Sequence, residues 1–202
     1  GRGRIAARFC FMKLNVTRLG EGPIIRPKMD GRMGTNINGP SLIRAPDWLP
    51  NPLGRYYLYF AHHNGTYIRL AVSDSLTGPW RMHEAGVLDL ADSYFIDHIA
   101  SPDIYIDDDA QKIRLYFHGR TGYKPDGSQI QGTRVAESSD GLNFTIHEPD
   151  IGPAYFKVFQ QNGAYFALAR SAELLSSPDG FQPFESFGVP EGFPANIRHV
   201  AI

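Results

Sequence analysis

The chain has 202 residues, 42% of them hydrophobic and 20% charged, with a formal net charge of −1. That length can bury the core of one large β domain, and the balanced charge argues against a nucleic-acid partner, because phosphate recognition gathers a basic excess. A single cysteine, Cys10, excludes an intrachain disulfide, and no apolar run approaches the roughly 18 residues that cross a membrane.

Residues 1–11 mix basic side chains with a short apolar patch that Arg8 interrupts. A secretory core needs about 7–15 uninterrupted apolar residues, so no signal peptide is expected. Compartment stays open, with the cytoplasm the favoured reading. Met12 is a plausible natural start, with residues 1–11 an upstream extension. Residues 1–35 as a whole are expected to be an extension and a lead-in strand.

From residue 36 onward helical patterning is nearly absent, and 15 Pro and 21 Gly punctuate the chain. Short β-rich runs recur at 56–60, 67–72, 104–106, 113–117, 133–136, 155–159 and 164–168. Turn dipeptides bound them: Asn64-Gly65, Asp126-Gly127, Asp140-Gly141, Asn162-Gly163 and Asp179-Gly180. A first unit opens at Gly39-Pro40-Ser41, continues through 54–60 and 67–74, and ends at Gly78-Pro79-Trp80. A second opens at Ser101-Pro102-Asp103, continues through 112–117 and 133–140, and ends at Phe144. A third opens at Gly152-Pro153, continues through 163–168 and 174–180, and ends at Phe184. Each holds four strands in roughly 40–60 residues, which is the signature of a propeller blade.

The expected class is therefore all-β: a β-propeller of about three four-stranded antiparallel blades plus the first strand of a fourth. The blades fall at about 36–88, 96–149 and 150–188, within a partial domain spanning 36–202, and the next begins at 196. Open blade edges invite pairing, so self-association is expected if the ring is not completed within the chain. A fragment of a longer chain is the favoured reading of the incomplete ring.

Three features carry a resemblance to a known family. They are the Pro-led opening strands followed by aromatic hairpin strands, the segment Ser73-Asp74-Ser75-Leu76-Thr77-Gly78-Pro79-Trp80, and the Ile106-Asp107-Asp108-Asp109 turn of the second unit. Together they resemble the five-bladed propeller glycoside hydrolases of the family 43 type, over residues 36–202. The opening Asn38-Gly39-Pro40-Ser41 resembles uncharacterised bacterial proteins more closely still. The resemblance implies an incomplete five-bladed propeller and a carbohydrate ligand. It also implies three catalytic carboxylates: an Asp base at the opening of blade one, an Asp that tunes pKa at blade two and a Glu acid at blade three. Inverting hydrolysis of that kind sets two carboxyls about 6.5–9.5 Å apart. In this sequence the matching positions hold Gly39, Ser101 and Ile151. The fold carries over and the triad does not, and fold alone does not assign a reaction.

A site must then be rebuilt from position. Strand-one openings and strand-two ends of successive blades share one end of a propeller. That end gathers Asn36 and Asn38; His62 and His63; Asp97, His98, Ser101 and Asp103; His118 and Arg120; Arg170 and Glu173; and Arg198 and His199. The catalytic candidates are Asp103 as base or pKa tuner, and His98 or Glu173 as acid. A His of pKa near 6.5 can replace a Glu in that task, as relatives of this family are described as doing. The binding candidates are Asn36, Asn38, His62, His118, Arg120, Arg170, Arg198 and His199, with Tyr94, Phe95, Tyr123 and Tyr155 flanking them. Each has a plainer reading: Asp103 satisfying a turn, His98 a bonded core residue, Arg120 a surface ion pair, Glu173 a solvated hairpin tip. Asp107-Asp108-Asp109 lacks the spacing of a Ca²⁺ loop, and the Asp140 and Asp179 turns read as structural. No metal or cofactor is expected. The leading function is glycoside hydrolysis or a related carbohydrate activity on an unknown glycan. The alternatives are a non-catalytic carbohydrate-binding propeller and an inactive truncated remnant.

Overall fold

The computed structural model describes residues 15–194 together with Ile197 and Val200. Strand accounts for 48% and helix for 3%, so the architecture is all-β. Twelve strands form three four-stranded meanders. Blade one is β1 (Asn38–Arg44), β2 (Tyr56–Ala61), β3 (Tyr67–Ser73) and β4 (Arg81–Asp89). Blade two is β5 (Ile99–Asp107), β6 (Lys112–Tyr123), β7 (Gln129–Ser138) and β8 (Thr145–Pro153). Blade three is β9 (Lys157–Gln161), β10 (Ala164–Leu168), β11 (Leu174–Ser177) and β12 (Glu185–Gly188). Every neighbouring pair is antiparallel. The fourth-blade strand expected at 196 falls largely outside the described residues.

The central strands of blade one read as near-continuous apolar runs because both faces are covered. On β2, Tyr57, Tyr59 and Ala61 enter the core shared with blade two, which also holds Ile99, Ile113, Leu115 and Phe117. Leu58 and Phe60 point the other way, as strand alternation requires. They pack with Ala71, Trp80, Ile25 and Met33. The last two belong to residues 15–37, which form turns and bends; the rest of the expected extension and lead-in strand, residues 1–14, lies outside the described residues. Asp30 Oδ1 accepts from the amides of Arg32 at 2.8 Å and Met33 at 2.6 Å, folding this segment back onto the sheet. Arg32 then pairs with Asp89 and lies 3.8 Å over the Tyr67 ring.

Equivalent residues join successive blades. Tyr59 of blade one donates its hydroxyl to Gly141 O at 2.9 Å, and Tyr116 of blade two donates to Gly180 O at 3.2 Å. Nearer the axis, Ser41 Oγ on β1 accepts from Ile104 N on β5 at 3.0 Å, and Asp103 Oδ2 on β5 accepts from Val158 N on β9 at 2.8 Å. These stitches place Ser41, Asp103 and Lys157 at one level of the three inner strands.

The same register corrects the opening of blade three. Gly152 and Pro153 pair with Thr133 and Gly132 of β7, so they end blade two's outer strand and do not begin blade three. Proline is tolerated there because an outer edge needs no second donor. The inner strand is Lys157–Gln161, shifted from the expected 155–159, and Ile151 is buried between blades two and three.

Candidate functional site

The openings of the inner strands share a backbone signature. Gly39, Ser101 and Tyr155 have φ of 58°, 49° and 63°. Each lies two residues before one of the stitched positions Ser41, Asp103 and Lys157. The register of β1 against β2 shifts between Asn38 and Ser41, and that of β5 against β6 between Ala100 and Asp103. Such bulges re-aim side chains at a strand end. Tyr155, not Ile151, therefore occupies the inner-strand opening of blade three.

The opening of blade one has no room for the family's carboxylate. A Cβ on Gly39 would fall 2.6 Å from Ser101 Cα, so no acidic side chain fits there without moving blade two. Ser101 Oγ is buried in that contact and makes no hydrogen bond among the described residues.

What this end does hold is built on residues 93–98 and the end of β6. Gly119 makes the arrangement possible. A Cβ there would sit 2.4 Å from the Phe95 ring and 2.6 Å from His98 O, so its absence lets the loop lie directly on β6. Phe95 packs edge-on against Phe117 with ring centroids 5.7 Å apart. Ile96 N donates to Arg120 O at 2.9 Å, and Ile99 N to Gly65 O at 2.8 Å. Asp97 and His98 are thereby fixed. His98 Nδ1 lies 3.0 Å from Asp97 Oδ1. Asp97 Oδ2 meets the Arg120 guanidinium and, at 3.2 Å, the Tyr123 hydroxyl, and Arg120 also contacts that hydroxyl. The hydrogen bond from His98, then the Arg120 charge, hold the Asp97 carboxyl below its usual pKa, outweighing burial. Behind them His98, only 4% exposed, stands edge-on to His118 with centroids 6.0 Å apart, and the His118 ring lies 4.2 Å from that of Tyr155.

The other candidates distribute as follows. Asn38 Nδ2 meets His63 Nδ1 at 2.9 Å, and Asn36 Oδ1 accepts from His63 N at 2.8 Å, so the blade-one asparagines brace the β2–β3 hairpin. His62 Nδ1 accepts from Asn64 N at 2.9 Å, and burial lowers its pKa. Arg170 is exposed on the one-turn helix Arg170–Ala172, and Glu173 just beyond accepts from Ser186 Oγ. Asp103 is 8% exposed, with Lys157 Nζ 3.0 Å from Oδ1 and Val158 N on Oδ2. Arg198 and His199 lie outside the described residues. The sequence places Asp97 at this end without marking a role for it; its signal there is adjacency to His98. Among the described residues no three His, Cys, Asp or Glu side chains converge as metal ligands would. Asp107 pairs with Arg114, and Asp108 accepts from Trp48 Nε1, as a structural turn requires.

No family model matches the sequence. An uncharacterized protein of Acanthamoeba polyphaga mimivirus is 36% identical over 168 residues, covering 74% of this chain and 46% of that protein. The chain thus spans about half the length of this curated relative, which is viral rather than bacterial. Three solved structures are similar. An α-L-arabinofuranosidase of Clostridium thermocellum has a TM-score of 0.56 at 19% identity, over 86% of this chain and 60% of that one. A family 117 glycoside hydrolase of Zobellia galactanivorans has 0.60 at 18%, over 82% and 49%. A family 43 enzyme of Xanthomonas citri, complexed with xylose, has 0.56 at 14%, over 84% and 60%. At these identities the likeness is one of fold: that of the β-propeller glycoside hydrolases.

Proposed function

We propose that this chain carries the site of a carbohydrate-active propeller that acts on a glycan through Asp97 and His98 instead of three carboxylates. The observation that carries this reading is the 3.0 Å contact between Asp97 Oδ1 and His98 Nδ1 at the inner-strand end, tied to Arg120 and Tyr123. The Asp97 carboxylate on Nδ1 orients the imidazole, which leaves Nε2 as the group that gives or takes a proton. Hydrolysis would protonate the leaving oxygen from His98 and add water at the sugar carbon. Glu173, on blade three, is the carboxylate proposed to take the water's proton. Asn36, Asn38, His62, His118 and Arg120, with Arg170, Arg198 and His199, are the proposed hydroxyl-binding surround. Asp103 supports the site from below as a tuner and stitch, not as the base.

A second reading is binding without turnover. It is favoured by the shut Gly39 position and by the full pairing of Asp103, which leave this end without two available carboxylates of the family kind. Asp97→Asn separates the two. Turnover of short oligosaccharides is expected to drop about 100-fold or more, with calorimetric affinity changed little. Turnover equal to the wild type's would overturn the role of the pair. Affinity without turnover in both forms would establish the second reading.

A further inference from the structure

We propose that the groove at the seam between blades one and two is a second contact surface for a neutral glycan chain, with Tyr94 as its stacking platform. The inference deepens the carbohydrate reading above and rests on it for the class of ligand. The groove encloses about 620 Å³ and is lined by Thr66, Asp89, Leu90, Asp92, Tyr94 and Ile96 among others. A second hollow of about 420 Å³ lies on the other side of Tyr94, against Phe144, Thr145 and Ile146. Tyr94 is the ridge between them. The groove opens at the same end of the blades as His98. Thr66 tips the β2–β3 hairpin, and Ile96 directly precedes Asp97.

The local backbone is organised around that ring without burying it. Tyr94 has φ of 58°, a left-handed conformation that costs a bulky residue energy. Its neighbours hold it there. Ser93 is fully buried, its amide and hydroxyl both donate to Leu90 O, and its own carbonyl accepts from Arg134 NH1 at 2.9 Å. Phe95 is buried under the Arg134 guanidinium. Between two anchored residues the Tyr94 side chain is 58% exposed. The Arg134 guanidinium stands 5.8 Å from the ring centroid, at the outer limit of a cation–π contact, and the exposed ring beside apolar walls suits the C–H face of a sugar. The carboxylates of Asp92 and Asp89, the latter oriented by Arg32, accept hydroxyls and repel a polyanion. With Asp89 balanced by Arg32, the Asp92 carboxylate leaves the groove negative, which favours a neutral chain over a polyanion.

The test uses affinity electrophoresis in soluble arabinoxylan, starch and polygalacturonate, with thermal melting run alongside. Tyr94→Asn suits the left-handed backbone, so its melting temperature should equal or exceed that of the wild type. Its retention on a neutral polysaccharide should fall about tenfold, while neither form is retained by polygalacturonate. Retention unchanged in Tyr94→Asn overturns the groove, as does a melting temperature lowered by several degrees, which would mark the ring as structural. His98→Gln distinguishes the two sites. Retention lost in His98→Gln alone removes the groove and keeps the inner-strand site; retention lost in Tyr94→Asn alone keeps the groove and removes that site. A wild type retained by none of the polymers, or by polygalacturonate only, overturns the neutral-glycan proposal.

Discussion

The carboxylate of Asp103 meets two donors inside the protein, the Val158 amide and the Lys157 ammonium, while burial raises its pKa more than they lower it. An Asp so raised adds stability at pH below its unfolded value of about 3.9, and loses it as pH rises through the folded value. Its use at neutral pH is to join β5 to β9. Asp103→Ala should therefore cost about 2–4 kcal/mol by leaving Lys157 and Val158 N without their acceptor. Chemical denaturation measures this, and the expected companion result is glycan affinity within about twofold of wild type. Asp140 is the opposite case. Burial would raise it, but hydrogen bonds from Asn143, Leu142 and Ser138 bring it down to about 2. Its contribution is complete above pH of about 4 and is lost as pH falls toward 2. Asp140→Asn should flatten the stability curve across that window and leave the neutral-to-alkaline side unchanged in slope. An acid limb as steep as wild type would contradict the assignment. In the sequence Asp140 reads as a turn aspartate, whereas Asp103 is a catalytic candidate whose plainer reading is a turn. The turn role holds for Asp140, but for Asp103 the decisive partners come from β9, across a blade boundary that local pattern does not reveal.

At the scale of the element, blades are held in register by equivalent tyrosines reaching across to equivalent glycines. Gly141 has φ of 72°, and a Cβ there would lie 3.0 Å from Tyr59 Oη; Gly180 has φ of 79°, and a Cβ there would lie 2.7 Å from Tyr116 Oη. Gly141→Ala thus strains the backbone and pushes on the donor that satisfies Gly141 O. It should cost about 2 kcal/mol and lower Tm by about 4–8 °C, read by calorimetry. The strands and Asp-Gly turns were legible because buried β-runs and left-handed turn residues leave a direct mark on composition. The opening of blade three was not. Gly152-Pro153 looks like the Pro-led openings of blades one and two, yet it closes β8, and Tyr155-Phe156 opens blade three with no proline. For the same reason Tyr155, whose ring lies beside His118, could be named only as a flanking aromatic. The Asp97–His98 pair was half legible: His98 drew notice as a titratable group, but only the Phe95–Gly119 contact fixes the loop that pairs it.

For the whole molecule, the two outward faces differ. Blade one's is covered by Ile25, Met33 and Ile37, with Met33 only 1% exposed. On blade three, Phe159 and Phe166 stack at 5.6 Å on the side away from the blade-two core, and Phe187 on β12 is 65% exposed. Self-association is thus expected to run through blade three. Phe187→Asp should shift sedimentation at tens of micromolar toward the monomer. Met33→Asp should do the reverse, by releasing the cover from Leu58, Phe60 and Trp80. Equal association in all three forms would show that neither face takes part.

The reading proposed above places the glycan at the inner-strand end, around Asp97 and His98. Hydrogen exchange of the full chain, with and without a saturating neutral oligosaccharide that shifts its melting temperature, tests this most directly. New amide protection is expected in residues 93–99 and 118–123. Protection confined to the opposite end, in residues 44–55 and 107–112, would contradict it.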